Sequence, residues 1–259
     1  MISLENKNSL YSIFSRKKKD GKKRIIHAPC LELKQEQRKL MLSLQKREWI
    51  SEHCYGFKKG SSISSAASNH IGKDWILNID IKNFFPSINE NMLSFLDEYE
   101  KELATLNGTV VQGSPCSPII SNIILRELDE EISNIFGWIN VNYSRYADDI
   151  VLSGYGRPNV KSYIHIIRCH LKLLGFEIKD SKIDYSYKHK AQKVLGINVN
   201  NGLSVNRKLR KKLRAIIHQD NLTEKDIGTL AFINSVNQNQ YSKLYGLLSP
   251  VAASVTELY

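Results

Sequence analysis

The sequence predicts an α+β protein, with a mixed sheet packed by helices and an all-helical C-terminal piece. Three observations carry this reading. The apolar run from Trp75 to Ile81 has the length of a buried strand, and a second β-prone run surrounds Tyr146. Segments such as Val160 to Leu174 place apolar residues at helical spacing between and around these runs. From Asn206 to about Leu248 the periodicity is helical throughout.

The elements follow in chain order. The basic cluster Arg16-Lys17-Lys18-Lys19-Asp20-Gly21-Lys22-Lys23-Arg24 holds a hairpin-like Asp-Gly and runs into the extended Ile25-Ile26. Lys34 to Trp49 reads as a helix. A Gly-Ser-rich stretch from Gly56 to Ser65 leads to a short helix ending before Gly72. The strand from Trp75 delivers Asp80 at its end, and Pro86 breaks the chain beyond it. Ser87-Ile88-Asn89-Glu90 has capping-box spacing and predicts a helix from Asn89 towards Leu106. Ser117 reads as an N-cap with Pro118 at the first helical position, and Ile120, Ile124, Leu128 and Ile135 continue one apolar face. Gly175 is the expected C-terminal cap of the helix before it, and Asn200-Asn201-Gly202 reads as a hairpin turn.

Composition narrows the function. The chain has 259 residues, 42% hydrophobic and 24% charged, which is ordinary globular composition. Its 37 Lys+Arg against 26 Asp+Glu give a formal net charge of +11, which favours a polyanionic partner. No run approaches the roughly 18 apolar residues of a membrane span, and the N-terminus lacks a secretory pattern. A soluble intracellular protein without a membrane partner is expected. Cys30, Cys54, Cys116 and Cys169 are scattered with no CxxC pair, and the histidines form no HExxH. A metal would therefore be held by carboxylate oxygens, which points to magnesium or manganese. In Arg207 to Arg214 the apolar positions Leu209, Leu213, Ile216 and Ile217 leave the cations on the remaining face. No acid occurs from Asn206 to His218, and contact with a nucleic-acid backbone is favoured over plain solvation.

The run Asn142 to Leu152 places adjacent acids, Asp148 and Asp149, among β-prone residues. In a continuous strand one of them would be buried without a partner. In a hairpin with Ala147-Asp148 at its tip, both reach an exposed loop, and Asp80 ends the other buried strand. Three acids at strand ends suit a two-metal phosphoryl-transfer site, with metals about 3.5–4 Å apart. An Asp-Asp pair alone is most often a turn; its neighbours give it weight.

Tyr146-Ala147-Asp148-Asp149 resembles the YxDD box of reverse transcriptases. Asn78 to Ile88 resembles their first catalytic box, and Gln112-Gly113-Ser114-Pro115-Cys116-Ser117-Pro118 resembles the QGxxxSP box, in the expected order. Gly175-Phe176 with Lys182, the Val194-Leu195-Gly196 primer-grip position, and the upstream Arg24-Ile25-Ile26, Pro29 and Leu33-Lys34 extend the likeness over most of the chain. The resemblance implies a right-hand polymerase, with fingers and an N-terminal basic segment over 1–79, a palm over 80–200 and a helical thumb over 201–259. It implies that Asp80, Asp148 and Asp149 hold two magnesium or manganese ions, with the Ile81 carbonyl as a further ligand. Arg24, with Lys19 or Lys23, would neutralise the incoming deoxynucleoside triphosphate, and Lys182 would support the leaving group or else be a solvated surface lysine. Phe85 would sit under the sugar and exclude a 2′-hydroxyl, although Phe84 and Phe85 also suit a core. Gln112 would pack by the nucleotide, with small Gly113 and Ser114 admitting the template-primer backbone. Tyr146, Gly196, Arg207, Arg210, Lys211 and Arg214 would contact nucleic acid.

Tyr55-Gly56-Phe57 and Ala66-Ala67-Ser68-Asn69-His70 resemble the bacterial retron enzymes. Ala66 stands where retrons carry asparagine, Leu195 stands where they carry threonine, and His70 also suits a core or capping position. The retron likeness implies a bacterial cytoplasmic enzyme that copies a structured noncoding RNA into DNA. It implies self-priming from a guanosine 2′-hydroxyl to give a branched RNA-DNA product, in anti-phage defence with a separate effector protein. A different bacterial reverse transcriptase and a non-catalytic RNA-binding scaffold of the same fold are the alternatives.

Overall fold

The structure is a computed structural model that describes residue 4, residues 6–17, residue 21 and residues 23–248. The chain opens with an antiparallel ribbon, β1 (Tyr11–Lys17) and β2 (Lys23–Pro29), that brings Lys17 opposite Lys23 and Arg16 opposite Arg24. Helix α1 (Leu31–Arg47) buries Leu33, Gln37, Leu40 and Leu44 on one stripe, and the short α2 (Ile63–Ser68) starts from a Ser62–Ser65 capping box. Strand β3 (Trp75–Asp80) is nearly wholly buried.

The segment after β3 departs from the helix expected over Asn89 to Leu106. Asn89 accepts from the Asn91 amide at 3.0 Å and caps only a single 3₁₀ turn. Asp97 makes the capping box that starts α3 (Glu98–Ala104), and the chain then extends into β4 (Thr105–Leu106). Asn107 (φ 52°) and Gly108 (φ 76°) close a two-residue hairpin onto β5 (Thr109–Val110).

Helix α4 (Ser117–Ile124) is capped by Cys116, one residue before the expected N-cap, because the buried Ser117 hydroxyl donates to the Val111 carbonyl at 2.7 Å. A break at Leu125 separates α4 from α5 (Arg126–Gly137), so the apolar face is not continuous and Ile135 is partly exposed. The hairpin β6 (Asn142–Tyr146) and β7 (Asp149–Gly154) turns at Ala147-Asp148, as expected. Helix α6 (Val160–Leu173) ends in a Schellman motif: the Phe176 amide donates to the Leu171 carbonyl and the Gly175 amide to that of Lys172, with Gly175 at φ 80°. Strand β8 (Asp184–Tyr187) and the ribbon β9 (Lys193–Val194) and β10 (Ile197–Asn198) follow. Asn198 and Ser204 exchange backbone hydrogen bonds around the expected 200–202 turn. The C-terminal helices are α7 (Arg207–His218), α8 (Glu224–Val236) and α9 (Gln238–Tyr245).

The central sheet runs β6-β7-β3-β8, with antiparallel ladders and a parallel bridge from Cys54 to Arg145 that makes it mixed at its outer edge. Period-two alternation divides its faces. Trp75, Leu77, Ile79, Ile150 and Leu152 join the main core with α1 and α4–α6. Ile76 and Val151 point the other way and join a second core with Val194, Ile197, Leu213, Ile217, Leu230 and Ile233. No helix among the described residues is long and apolar enough to cross a membrane.

Candidate active site

The β3–β7 register sets Asp80 directly opposite Asp149, and directly opposed residues on one face have Cβ atoms about 5 Å apart. Ala147 opens the β6–β7 turn at φ 55°, a left-handed conformation uncommon for a residue with a Cβ. That turn places Asp148 at the tip, where its carbonyl accepts the Ile81 amide at 2.9 Å. The hairpin tip is thereby fastened to the end of β3, and three carboxylates from distant parts of the sequence come to one place.

Their electrostatics are costly when nothing balances them. Burial raises the Asp149 carboxyl to about 6, and the charges of Asp148 and Asp80 add to the effect. Asp148 is also raised, first by burial; its own backbone amide, Lys182 and Arg24 pull it back, against the charge of Asp80. The Lys182 ammonium donates to the Asp80 carboxylate. Burial pushes the Lys182 pKa down, but that hydrogen bond and the three carboxylates outweigh it, and the net shift is upward. Lys182 is therefore an engaged cation rather than a solvated lysine.

Among the described residues no three Asp, Glu, His or Cys side chains converge tightly enough to form a metal cage. Asp80 is turned instead to Lys182. The donor set nonetheless fits a hard divalent cation: carboxylate oxygens on two adjacent strand ends, two of the acids with a pKa that burial raises, and Ile81 in the same cleft lining.

Asp80 and Asp148 line a cleft of about 1170 Å³ together with Lys23, Arg24, Ile81, Phe85, Gln112 and Lys182, while Asp149, paired with Asp80, is not in its lining. Cations from β2 and carboxylates from β3 and the hairpin turn thus line one cleft, and the Arg24 charge acts on Asp148 across it. At the rim Lys82 pairs with Glu177 and Arg168 with Asp180, each at 2.6 Å. Both Phe84 and Phe85 line the cleft, but Phe84 is core at 5% exposed and Phe85 is half-buried, with its ring 5.2 Å from Phe84 and 6.4 Å from Phe57. The Gln112 carbonyl accepts the His27 amide at 2.9 Å, which holds this segment against β2. That approach explains Gly113: at φ 128°, a Cβ there would stand 2.3 Å from the His27 carbonyl oxygen. The bare backbone at Gly113 admits β2 while the residue itself stays exposed, whereas Ser114 is buried against Cys116 and lacks the expected open face for template and primer.

The remaining expected residues lie outside the cleft. Tyr146 pairs with Asp149 across the hairpin, and Gly196 (φ 85°) follows Leu195 (φ 51°) in the tight β9–β10 turn. Arg207, Lys211 and Arg214 are exposed on α7, while Arg210 is partly buried and its Nε donates to the Val205 carbonyl at 3.2 Å. Lys19 lies outside the described residues. His70 is fully buried between the Ser153 and Ser144 hydroxyls, 2.7 Å from each, so its place is the core.

Two further residues matter here, Phe57 and Arg145. Phe57 sits at φ 58° on the cleft wall, and its signal in the sequence is its place in Tyr55-Gly56-Phe57. Arg145 does carry a signal: two residues after the core-facing Tyr143 in a strand, it has to point inward.

Residues 16–199 match the reverse transcriptase (RNA-dependent DNA polymerase) family model. The chain belongs to the reverse transcriptase family. Among characterised relatives it is 28% identical over 270 residues to the Retron Mx65 reverse transcriptase of Myxococcus xanthus, covering 90% of this chain and 63% of that protein. It is 29% identical over 257 residues to the Retron Ec86 reverse transcriptase of Escherichia coli, covering 92% of this chain and 80% of that one. The chain thus spans less than two thirds of the Mx65 enzyme. Telomerase from Candida albicans, solved in complex with a TWJ fragment of telomeric RNA, shares the fold at a TM-score of 0.55 and 13% identity, covering 92% of this chain and 54% of that chain.

Proposed function

We propose that the protein is an RNA-directed DNA polymerase of the retron type. The observation that carries this is the Asp80–Asp149 pairing with Asp148 fastened beside it, at a cleft that Asp80 and Asp148 line together with Lys23 and Arg24. Asp80, Asp148, Asp149 and the Ile81 carbonyl would hold two magnesium ions, manganese being an alternative. Bound there, the metals would activate a primer hydroxyl and stabilise the leaving pyrophosphate.

The chain's own residues do the rest. Arg24 and Lys23, with Lys19 from the same basic segment of the sequence, neutralise the triphosphate of the incoming deoxynucleotide. Lys182, held protonated and hydrogen-bonded to Asp80, is the cation placed to donate to the leaving group. Phe85 closes the floor beneath the sugar and excludes a 2′-hydroxyl; Gln112 borders the base. Arg207, Arg210, Lys211 and Arg214 on α7, with Tyr146 and Gly196, follow the template–product duplex by backbone contacts. Fingers over 1–79, palm over 80–200 and thumb over 201–259 is the division we adopt, with β3 straddling the first boundary.

The relatives' names support a retron role for the chain. On that reading the template is a structured noncoding RNA, synthesis starts at a guanosine 2′-hydroxyl, and the branched RNA-DNA product acts in bacterial anti-phage defence with a separate effector protein. The test is expression with the native flanking DNA, followed by analysis of the copurifying nucleic acid. DNA joined to RNA by a 2′-5′ linkage that debranching enzyme cleaves is expected from the wild type and absent from an Asp148→Ala, Asp149→Ala variant. Linear DNA alone would move the chain to another bacterial reverse-transcriptase group.

A further inference from the structure

Behind the Ala147-Asp148 turn, on the sheet face opposite Asp149, lies a buried polar cluster. Arg145 of β6 and Asp129 of α5 are both fully buried. Arg145 Nε and Nη2 donate to the two Asp129 oxygens at 2.8 and 2.7 Å, and the Tyr143 hydroxyl donates to Asp129 Oδ1 at 2.6 Å. The third nitrogen, Nη1, donates to the Ala147 carbonyl at 3.1 Å and to Asn122 Oδ1 at 3.3 Å. Asn122 Nδ2 donates in turn to the Gly56 carbonyl at 2.8 Å. Gly56 presses on the turn from its own side: a Cβ there would lie 2.4 Å from the Ala147 nitrogen. The one left-handed residue of the turn is therefore gripped by a guanidinium and by bare backbone.

A buried ion pair is a poor source of stability, since desolvation cancels much of the attraction and a well-packed apolar pair serves as well or better. An apolar pair has no donor for the Ala147 carbonyl. A lysine, with one nitrogen, lacks the geometry to hold both Asp129 oxygens and that carbonyl together. We infer that the Arg145–Asp129 pair is a positioning device that fixes the Ala147 turn and so presents the Asp148 and Asp149 carboxylates to a divalent cation. Its activity arm rests on the polymerase reading; its metal-binding arm does not.

The test exchanges the pair for apolar residues, Arg145→Met with Asp129→Leu, in the full chain. Mn2+ affinity is measured by electron paramagnetic resonance, with melting temperature and primer-extension kcat and KM. A folded variant is expected to lose about tenfold or more in Mn2+ affinity, with a parallel fall in kcat and little change in template-primer KM. A folded variant that binds Mn2+ as the wild type does overturns the inference, whatever its turnover. Should the double exchange not fold, Arg145→Lys carries the same measurement: weakened Mn2+ binding is expected, and wild-type binding overturns the inference. Wild-type protein that binds Mn2+ but extends no primer would remove the polymerase reading and leave this comparison intact.

Discussion

Single side chains here take their character from burial. His70, held between two serine hydroxyls and within the field of Lys73, has its pKa pushed down to about 3, first by desolvation and then by that charge. The folded state keeps it neutral, while the unfolded chain takes up a proton below about pH 6.5. Its contribution to stability is complete above pH 6.5 and falls by about 1.4 kcal/mol per pH unit from there towards pH 3. Urea midpoints measured from pH 7.5 to 5 should fall less steeply for His70→Gln than for the wild type; equal slopes would contradict the burial argument. Phe85 supplies the second residue-scale prediction. Both rings border the cleft but Phe84 is nearly wholly buried, so Phe85→Ala should relax discrimination against ribonucleotides by about tenfold or more, whereas Phe84→Ala should mainly lower the melting temperature. Competing dNTP and rNTP incorporation measures the first effect.

Elements are legible in the sequence wherever a local rule decides them. The acids of the catalytic hairpin, the Gly175 stop and the cationic face of α7 follow from alternation, capping and periodicity, and the structure has each of them. The 89–106 segment misleads because the capping signal at Asn89 competes with the Asn107-Gly108 hairpin signal beyond it, and β-branched Thr105 and Thr109 extend there rather than coil. The clefts and clamps are less legible, since Gly56, Gly113 and Asn122 act through partners dozens of residues away. Gly113→Ala makes that dependence measurable. With positive φ and the His27 carbonyl at 2.3 Å from the new Cβ, the substitution should cost more than about 1 kcal/mol and loosen β2 from the Gln112 segment. A melting temperature equal to the wild type would show that the ribbon does not depend on this approach.

At the scale of the whole molecule, the +11 charge includes a dense cationic face on α7, where a duplex would lie. Replacing Arg207, Arg210, Lys211 and Arg214 by glutamine should weaken RNA-DNA duplex binding and flatten the dependence of log K on log salt by about 0.7–0.9 for each phosphate no longer neutralised. Titrations at several salt concentrations measure it, and an unchanged slope would remove α7 from the interface. The helix that carries these cations shares its core with the central sheet. Leu213 of α7 packs in one cluster with Ile76 and Val151, which sit on the same two strands that end at Asp80 and begin at Asp149. At about 3.3 Å per residue, this cluster meets each strand only some 7–13 Å from its acid. The two strands are therefore a short lever that cluster and carboxylates share: a load on the cluster from α7 would reach the same beams that carry the acids.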